Sequence, residues 1–241
     1  QFKIMEKIIY KAESRGHANH GWLDTHHTFS FASYYNPDRI HFGALRVLND
    51  DKITSGTGFP KHPHDNMEII SIPLNGDLAH EDSMGTQSTI KQGDVQVMSA
   101  GTGVTHSEFN PNNDIGTEFL QIWVFPNKKN VEPRYGQVSY PMEERKNNFQ
   151  MVVSPNVEEV DTWIQQDAWF HLADFEEGFE KKYEMKKKGN GLFLFLLEGE
   201  VEIEDEKLKK RDGIGLINLE EVTIKANADA EMLLMEVPLE W

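Results

Sequence analysis

The fold of this chain follows from one stretch, Gly56-Thr-Gly-Phe-Pro-Lys-His-Pro-His-Asp-Asn-Met-Glu-Ile-Ile-Ser-Ile-Pro-Leu-Asn-Gly76. At its centre, His62 and His64 flank Pro63. Residues two apart on an extended chain point to the same side, so the two imidazoles can converge on one point. Pro63 supports this arrangement, because a proline disfavours the helical region for the residue before it.

A second pair with the same spacing follows at His106 and Glu108. If the two pairs lie on facing strands, they supply three imidazole nitrogens and one carboxylate oxygen, a donor set that suits a divalent transition metal. One His-x-His alone is a weak signal, but two such pairs with glycine-bounded strands between them are a stronger one. The candidate metal ligands are therefore His62, His64, His106 and Glu108.

The bulk composition narrows the class of protein. The 241 residues allow one large all-β domain or two small ones, with a sizeable core. The formal net charge of −16 repels a phosphate backbone, so direct binding to DNA or RNA is not expected. The sequence has no cysteine, which leaves His, Asp and Glu as metal ligands. It also has no apolar run of membrane-spanning length and no signal-peptide core, so we expect a cytoplasmic protein without a membrane partner.

Short strands and turns alternate along most of the chain. An apolar, β-branched strand is predicted at residues 67–74, and the Asn75-Gly76 pair after it is a hairpin signal. Further strands are predicted at residues 104–109 and 118–125. Turn signals recur about every eight to twelve residues, a pattern typical of an all-β sandwich or small barrel.

The two halves of the chain resemble each other. A strand, a glycine hairpin, a second strand and a glycine turn run from Ile69 to Val95, and the same order returns from Leu192 to Ile214. Nine of the ten histidines lie in the first half, and His171 is the exception. We therefore predict a duplication with the metal site in the first copy only. The predicted parts are a first domain at residues 1–126, a crossover linker at residues 127–149 and a second domain at residues 150–241.

The segment from residue 13 to residue 38 is rich in aromatic residues, glycine and histidine, and it shows no helical period. It is predicted to be irregular, with one short strand at residues 28–32. Its histidines are His17, His20, His26 and His27. No two of them have the i, i+2 spacing, so they are interpreted as surface or hydrogen-bonded structural histidines. The alternative is a second metal site or a wall of the pocket.

The motifs resemble those of the cupin superfamily, and within it the pirin family. The first cupin motif is matched by Gly56, His62, His64 and Glu68, and the second by Gly93, His106 and Asn110. Seven residues rather than six separate Glu68 from Gly76, Ser99 replaces the usual proline, and two extra residues precede His106. These departures are typical of pirins, which the stretches Arg15–Asp24, Thr28–Pro37 and Ala100–Glu108 also resemble.

The pirin resemblance covers nearly the whole chain. It implies an all-β bicupin, with two β-barrel, jelly-roll-like domains, short helical segments and one metal centre in the N-terminal barrel. By position, the ligands would be His62, His64, His106 and Glu108. Pirins use the glutamate two residues after the second-motif histidine, so Glu68 is expected to lie behind a ligand imidazole. The alternative for Glu68 is an ordinary strand carboxylate.

Pirins similar to this chain are associated with quercetin 2,3-dioxygenase activity. The resemblance thus implies a metal-dependent dioxygenase whose partners are dioxygen and a small aromatic, flavonol-like substrate, and whose products are carbon monoxide and a depside. Fe(II) is the expected metal, and Zn, Mn, Ni or Cu suit the same donors. Glu108 is the candidate catalytic base, because beside the metal it can take the proton of the substrate hydroxyl.

Two other functions fit the same residues. Eukaryotic relatives in the family are associated with iron-linked transcriptional regulation. The alternative is therefore a metal- or redox-dependent regulatory protein that binds a protein partner without turnover. Another small-molecule metalloenzyme, such as an isomerase or a hydrolase, would use the same ligands, because a ligand set does not select a substrate.

Overall fold

A computed structural model of the chain describes residues 3–241. Its two helical segments are short 3-10 helices at Ala12–Ser14 and Met142–Arg145. The strands up to residue 126 are β1 (Glu6–Tyr10), β2 (Gly16–Asn19), β3 (Leu23–His27), β4 (Leu45–Ile53), β5 (Gly58–His64), β6 (Glu68–Asn75), β7 (Leu78–Asp82), β8 (Gln87–Ile90), β9 (Asp94–Ser99), β10 (Val104–Phe109) and β11 (Thr117–Val124). The later strands are β12 (Arg134–Ser139), β13 (Gln150–Val153), β14 (Trp169–Phe175), β15 (Glu180–Glu184), β16 (Gly191–Glu198), β17 (Glu200–Ile203), β18 (Glu206–Lys209), β19 (Gly213–Ile217), β20 (Glu221–Ala226) and β21 (Ala230–Val237). Over residues 3–241, the chain forms no helix with the length and apolar character needed to cross a bilayer.

The strands form four sheets in two matching pairs. In the first half, a seven-stranded sheet of order β12-β9-β6-β11-β4-β3-β2 packs on a four-stranded sheet of order β5-β10-β7-β8. In the second half, a six-stranded sheet of order β1-β19-β16-β21-β14-β13 packs on a four-stranded sheet of order β15-β20-β17-β18. The same central order in both halves confirms an all-β architecture built from two cupin-like units. The sheets are open, so each unit is a pair of packed sheets rather than a closed barrel.

The edge strands β1 and β12 of the two larger sheets pair with strands that are distant from them in sequence. β1 pairs with β19 of the second half through Glu6–Tyr10, although it lies at the start of the sequence. β12 falls within the predicted linker, and it pairs with β9 of the first half. β1 therefore ties the start of the chain to the second half, and the domain boundaries at residues 126 and 150 stay a prediction.

Strand β16 contains the fully apolar run Leu192–Leu197, and its position between two cores explains this composition. Its side chains alternate between the two faces of the sheet. Phe193 and Phe195 enter a core that both halves share, whereas Leu194 and Leu196 enter the core of the second half alone. Both faces are buried, so no position along the strand favours a polar residue.

Strand β6 of the first half follows the same alternation with a different outcome. Ile70 and Ile72 lie in the shared core. Ile69 and Ser71 face the other way, and the Ser71 hydroxyl donates a hydrogen bond to Glu108 on β10. The space between the two sheets of the first half therefore contains polar groups. Its counterpart in the second half is mainly apolar, with Glu236 buried there as the acceptor of the Tyr183 hydroxyl.

The histidine-rich segment near the N-terminus is more regular than the sequence predicts. It forms a hairpin of β2 and β3, and residues 28–32 form no extended strand. The strand predicted there is wrong, because the backbone turns: Ala32 has φ of 49°, and Phe31 pairs with Tyr34. The pattern of alternating aromatic residues was the misleading feature.

Candidate metal centre

The two predicted pairs lie on adjacent antiparallel strands, β5 and β10, in the smaller sheet of the first half. His62 is directly opposite His106, and Glu108 is opposite Phe59 because the register shifts between the two positions. This β-bulge contains Pro60, and β5 is an edge strand. A proline is tolerated at a bulge or an edge because it has no N–H to offer the ladder.

The three imidazoles converge on one point. Nε2 of His106 lies 2.8 Å from Nε2 of His62 and 3.1 Å from Nε2 of His64. Nδ1 of His62 lies 2.8 Å from the carbonyl oxygen of Pro60, which can only accept. Nδ1 of His62 therefore carries the proton, and its Nε2 directs a lone pair at the point of convergence.

The site disfavours protonated imidazoles. Burial, followed by the neighbouring histidines, lowers the pKa of His106 to about 2. Burial, followed by His62, lowers the pKa of His64 to about 4. A neutral His106 has one proton at most on Nε2, so it cannot donate to both of its neighbours. Nitrogen lone pairs that face one another at this distance repel, whereas a divalent cation between them accepts all three. The arrangement therefore fits a metal ion.

Glu108 lies beside this triad but outside it. Its Oε1 is 3.9 Å from Nε2 of His106, and the group of donor atoms within 4.8 Å of one another contains the three histidines without Glu108. Ser71 Oγ and Gln121 Nε2 donate to its two oxygens, each over 3.2 Å. Burial raises the pKa of this carboxyl. Glu108 is thus a buried, oriented carboxylate next to the point of convergence.

Two further polar residues line the site, and the sequence analysis missed them. On β7, His80 is opposite Glu108 and Asp82 is opposite His106. Gln96 donates to Nδ1 of His80 over 2.9 Å, so Nε2 of His80 carries the proton and donates to Asp82 over 2.6 Å. Both side chains are fully buried. His80-x-Asp82 has the same i, i+2 spacing as the ligand pairs, and that spacing was the available signal.

Glu68 does not lie behind a ligand imidazole, which corrects the expectation from the cupin motif. Its Oε1 accepts from Ser99 Oγ over 3.1 Å and from the backbone N–H of Gln165 over 2.6 Å. Gln165 belongs to the second half, so this carboxylate joins the two halves. Burial raises the pKa of Glu68 to about 6.

The other histidines of the first half lie elsewhere. His27 is buried, and its Nδ1 is 2.7 Å from Oδ1 of Asn49, so it is a hydrogen-bonded structural residue. His20 lies exposed in the turn between β2 and β3. His17 and His26 lie together with Asp24 on the surface of that hairpin.

The second half has no matching donor set at the equivalent register positions. In the first half, His106 is opposite His62, and the matching pair in the second half is Ile224 and Lys181. Likewise, Val104 is opposite His64, and the matching pair is Val222 and Tyr183. Ile224 lies in the apolar core of that half. Tyr183, Val222 and Ile224 therefore extend the packing of that half, and Lys181 donates a hydrogen bond to Asn148.

Comparison with known proteins agrees with this architecture. A family model described as Pirin matches residues 9–124, and one described as the quercetinase C-terminal cupin domain matches residues 151–237. A protein of Escherichia coli K12 named quercetin 2,3-dioxygenase is 39% identical over 237 residues, which cover 96% of this chain and 99% of that protein. A pirin-like protein of Caulobacter vibrioides is 40% identical over 222 residues, covering 92% and 95% of the two chains.

Solved structures extend the similarity to the fold. The crystal structure of the bacterial pirin YhhW of Escherichia coli, in complex with nickel(II), superposes with a TM-score of 0.91 at 36% identity. The match covers 97% of this chain and 99% of that one. Because the sequence and the fold agree with these relatives over nearly their whole length, the chain belongs to the pirin family.

Proposed function

We propose that this protein is a metal-dependent dioxygenase that opens the central ring of a quercetin-like flavonol. The observation that carries the proposal is the convergence of three imidazoles, with Nε2 atoms 2.8 and 3.1 Å apart, in a relative of proteins named quercetin 2,3-dioxygenase. The enzyme names of these relatives favour catalysis over the regulatory alternative, in which a protein partner is bound without turnover.

The residues that would hold the metal are His62, His64 and His106 through Nε2, with Glu108 as the fourth ligand. Fe(II) is our expected ion, and the nickel(II) complex of the Escherichia coli relative supports a divalent transition metal in general. Such an ion, when bound, would lower the pKa of a coordinated substrate hydroxyl and leave positions open for substrate and dioxygen.

Glu108 is the proposed base for the 3-hydroxyl of the flavonol. Burial raises the pKa of its carboxyl, which makes the carboxylate a stronger proton acceptor than an exposed glutamate. Ser71 and Gln121 hold its two oxygens, so the carboxylate meets the hydroxyl in one orientation. Deprotonation converts the flavonol into an electron-rich enolate, the form that reacts with dioxygen.

Trp123 restrains the site from one side. Its ring lies 5.0 Å from that of His64 in an edge-to-face contact, and Phe31 packs edge-to-face on Trp123 at 5.5 Å. These rings limit rotation of His64 and keep water from that side of the imidazole. The ligand is therefore held in the orientation that binding requires.

The test is turnover of quercetin by protein loaded with Fe(II) and exposed to oxygen. We expect loss of the flavonol absorbance together with release of carbon monoxide. Metal-free protein and the His106→Ala variant are expected to be inactive, whereas His20→Ala, which changes an exposed histidine outside the site, keeps the wild-type rate. Equal loss of quercetin with and without metal would contradict the proposal, as would bound metal without any loss of quercetin.

A further inference from the structure

The surface of the β2–β3 hairpin carries a second group of metal-binding side chains. His17 and His26 are directly opposite each other, and their rings stack 4.2 Å apart with an interplanar angle of 8°. Asp24 lies two residues before His26 on the same face, and its Oδ1 is 2.6 Å from Nε2 of His17. One donor atom from each residue lies within 4.8 Å of the other two.

We propose that His17, Asp24 and His26 form a second binding site, separate from the central triad, for a divalent metal of the zinc class. Two imidazoles and a carboxylate are a donor set that zinc accepts, and water would complete the coordination. Ligand atoms lie about 2.0–2.2 Å from zinc, so donor atoms within 4.8 Å of one another can reach a shared ion after small side-chain rotations. The side chains of His17 and Asp24 are 51% and 39% exposed, so they can rotate to do so.

Charges of both signs surround the proposed site. Asp50 is opposite His26 on β4, and it forms ion pairs with Arg15 at 2.9 Å and Arg211 at 3.2 Å. Glu198 lies 3.8 Å from the second of these arginines and 2.7 Å from Lys210, so three cationic groups share two carboxylates beside the hairpin. The formal net charge of −16 favours cations over the whole surface.

Side chains alternate between the two faces of β3, and this alternation keeps the proposed site apart from the interior of the first half. His26 faces outward with Asp24, whereas His27 points to the opposite side and is held by Asn49. The side chains of the proposed site therefore take no part in the packing around the central triad. Sequence spacing alone does not reveal the site, because His17 and His26 meet only through the register of the hairpin.

The experiment is equilibrium dialysis with Zn²⁺ at pH 7.5 on wild-type protein and on His17→Gln, His26→Gln and His20→Gln variants. We expect His17→Gln and His26→Gln to bind one zinc ion fewer per chain than wild type, or to bind it at least tenfold more weakly. His20→Gln, an exposed change in the turn of the same hairpin, keeps the wild-type stoichiometry. An anomalous zinc peak between the three side chains in a crystal would support the same assignment.

The comparison is repeated in a His106→Ala background, which separates this site from the central one. The zinc ion that depends on His26 is expected to remain there, whatever happens to zinc at the central triad. Equal zinc stoichiometry and affinity with and without His26, in either background, would overturn the proposal. An equal loss of zinc in His20→Gln would overturn it as well.

Discussion

Single hydrogen bonds determine what the central histidines can do. The carbonyl of Pro60 places the proton of His62 on Nδ1, so Nε2 is the donor atom that faces His106. The i, i+2 spacing of the histidines predicted that they share a side of the strand. It did not predict the bulge at Pro60, which depends on how β5 pairs with β10. The tautomer follows from that bulge, so it was visible only in the structure.

Glu108→Gln tests the proposed base, because glutamine keeps the shape of the side chain and loses its basicity. We expect kcat for quercetin to fall by roughly a hundredfold or more, the range for loss of a general base. At saturating metal, the three histidines should still bind one ion per chain. Steady-state oxygen uptake and metal analysis check both points. Glu118→Gln, at a half-buried carboxylate that pairs with Lys52, is the matched control. A kcat within twofold of wild type for Glu108→Gln would contradict the assignment.

His171 predicts a pH dependence of stability in the second half. Burial, and then the charge of Lys186, lowers its pKa to about 3, against an unfolded value of about 6.5. Between these two pKa values, His171 is protonated in the unfolded chain and neutral in the folded one. The neutral, buried His171 therefore costs no stability above pH 6.5, and the stability of the fold decreases as the pH falls below that value. Through His171 alone, the free energy of unfolding of wild type should be about 2 kcal/mol lower at pH 5 than at pH 7.5.

Urea denaturation of wild type and His171→Leu at pH 7.5, 6 and 5 measures that contribution as a difference between the two proteins. The stability of wild type relative to the variant should decline as the pH is lowered. His20→Leu provides the control and should follow the wild-type curve. Parallel curves for wild type and His171→Leu would show that His171 does not carry this dependence.

Among the elements, the apolar strands were the most predictable from sequence. The strand predicted at residues 104–109 coincides with β10, and the one predicted at residues 67–74 is β6 shifted by one residue. The hairpin of β2 and β3 was missed because its polar, histidine-rich residues carry no hydrophobic alternation. The positions of β1 and β12 could not be predicted either, since each pairs with a strand far away in sequence.

Tyr10→Ala tests the role of β1 as a strand of the second half. The Tyr10 ring is buried, and it contacts Phe29 of the first half at 5.6 Å and Phe193 of the second at 5.1 Å. Its removal should lower the free energy of unfolding by about 3 kcal/mol, as for other large buried rings. Ile8→Ala, at an exposed position of the same strand, should lower the free energy of unfolding by less than about 1 kcal/mol. Equal losses in urea denaturation would contradict this role.

At the scale of the whole molecule, one core joins the two halves. It contains Ile70 and Leu120 from the first half and Phe193 and Leu233 from the second. The Glu68 carboxylate adds a hydrogen bond between the halves at their border. The sequence indicated the duplication, but only the structure shows that the two copies share buried surface.

A shared core predicts that both halves unfold together. We expect one calorimetric transition, with the calorimetric and van't Hoff enthalpies in agreement. Metal binding to the central triad should then raise the midpoint of that single transition, because stabilising one half stabilises both. Two resolved transitions, or a metal shift confined to one of them, would show that the halves unfold independently.

His62, His64 and His106 are proposed to hold one metal ion in the first half. Metal analysis of protein purified without an immobilised-metal step, compared between wild type and His106→Ala, tests this proposal most directly, because His106 is the histidine that contacts both of the others. We expect one transition-metal ion more per chain in wild type than in the variant. Equal metal content in the two proteins would contradict the proposal.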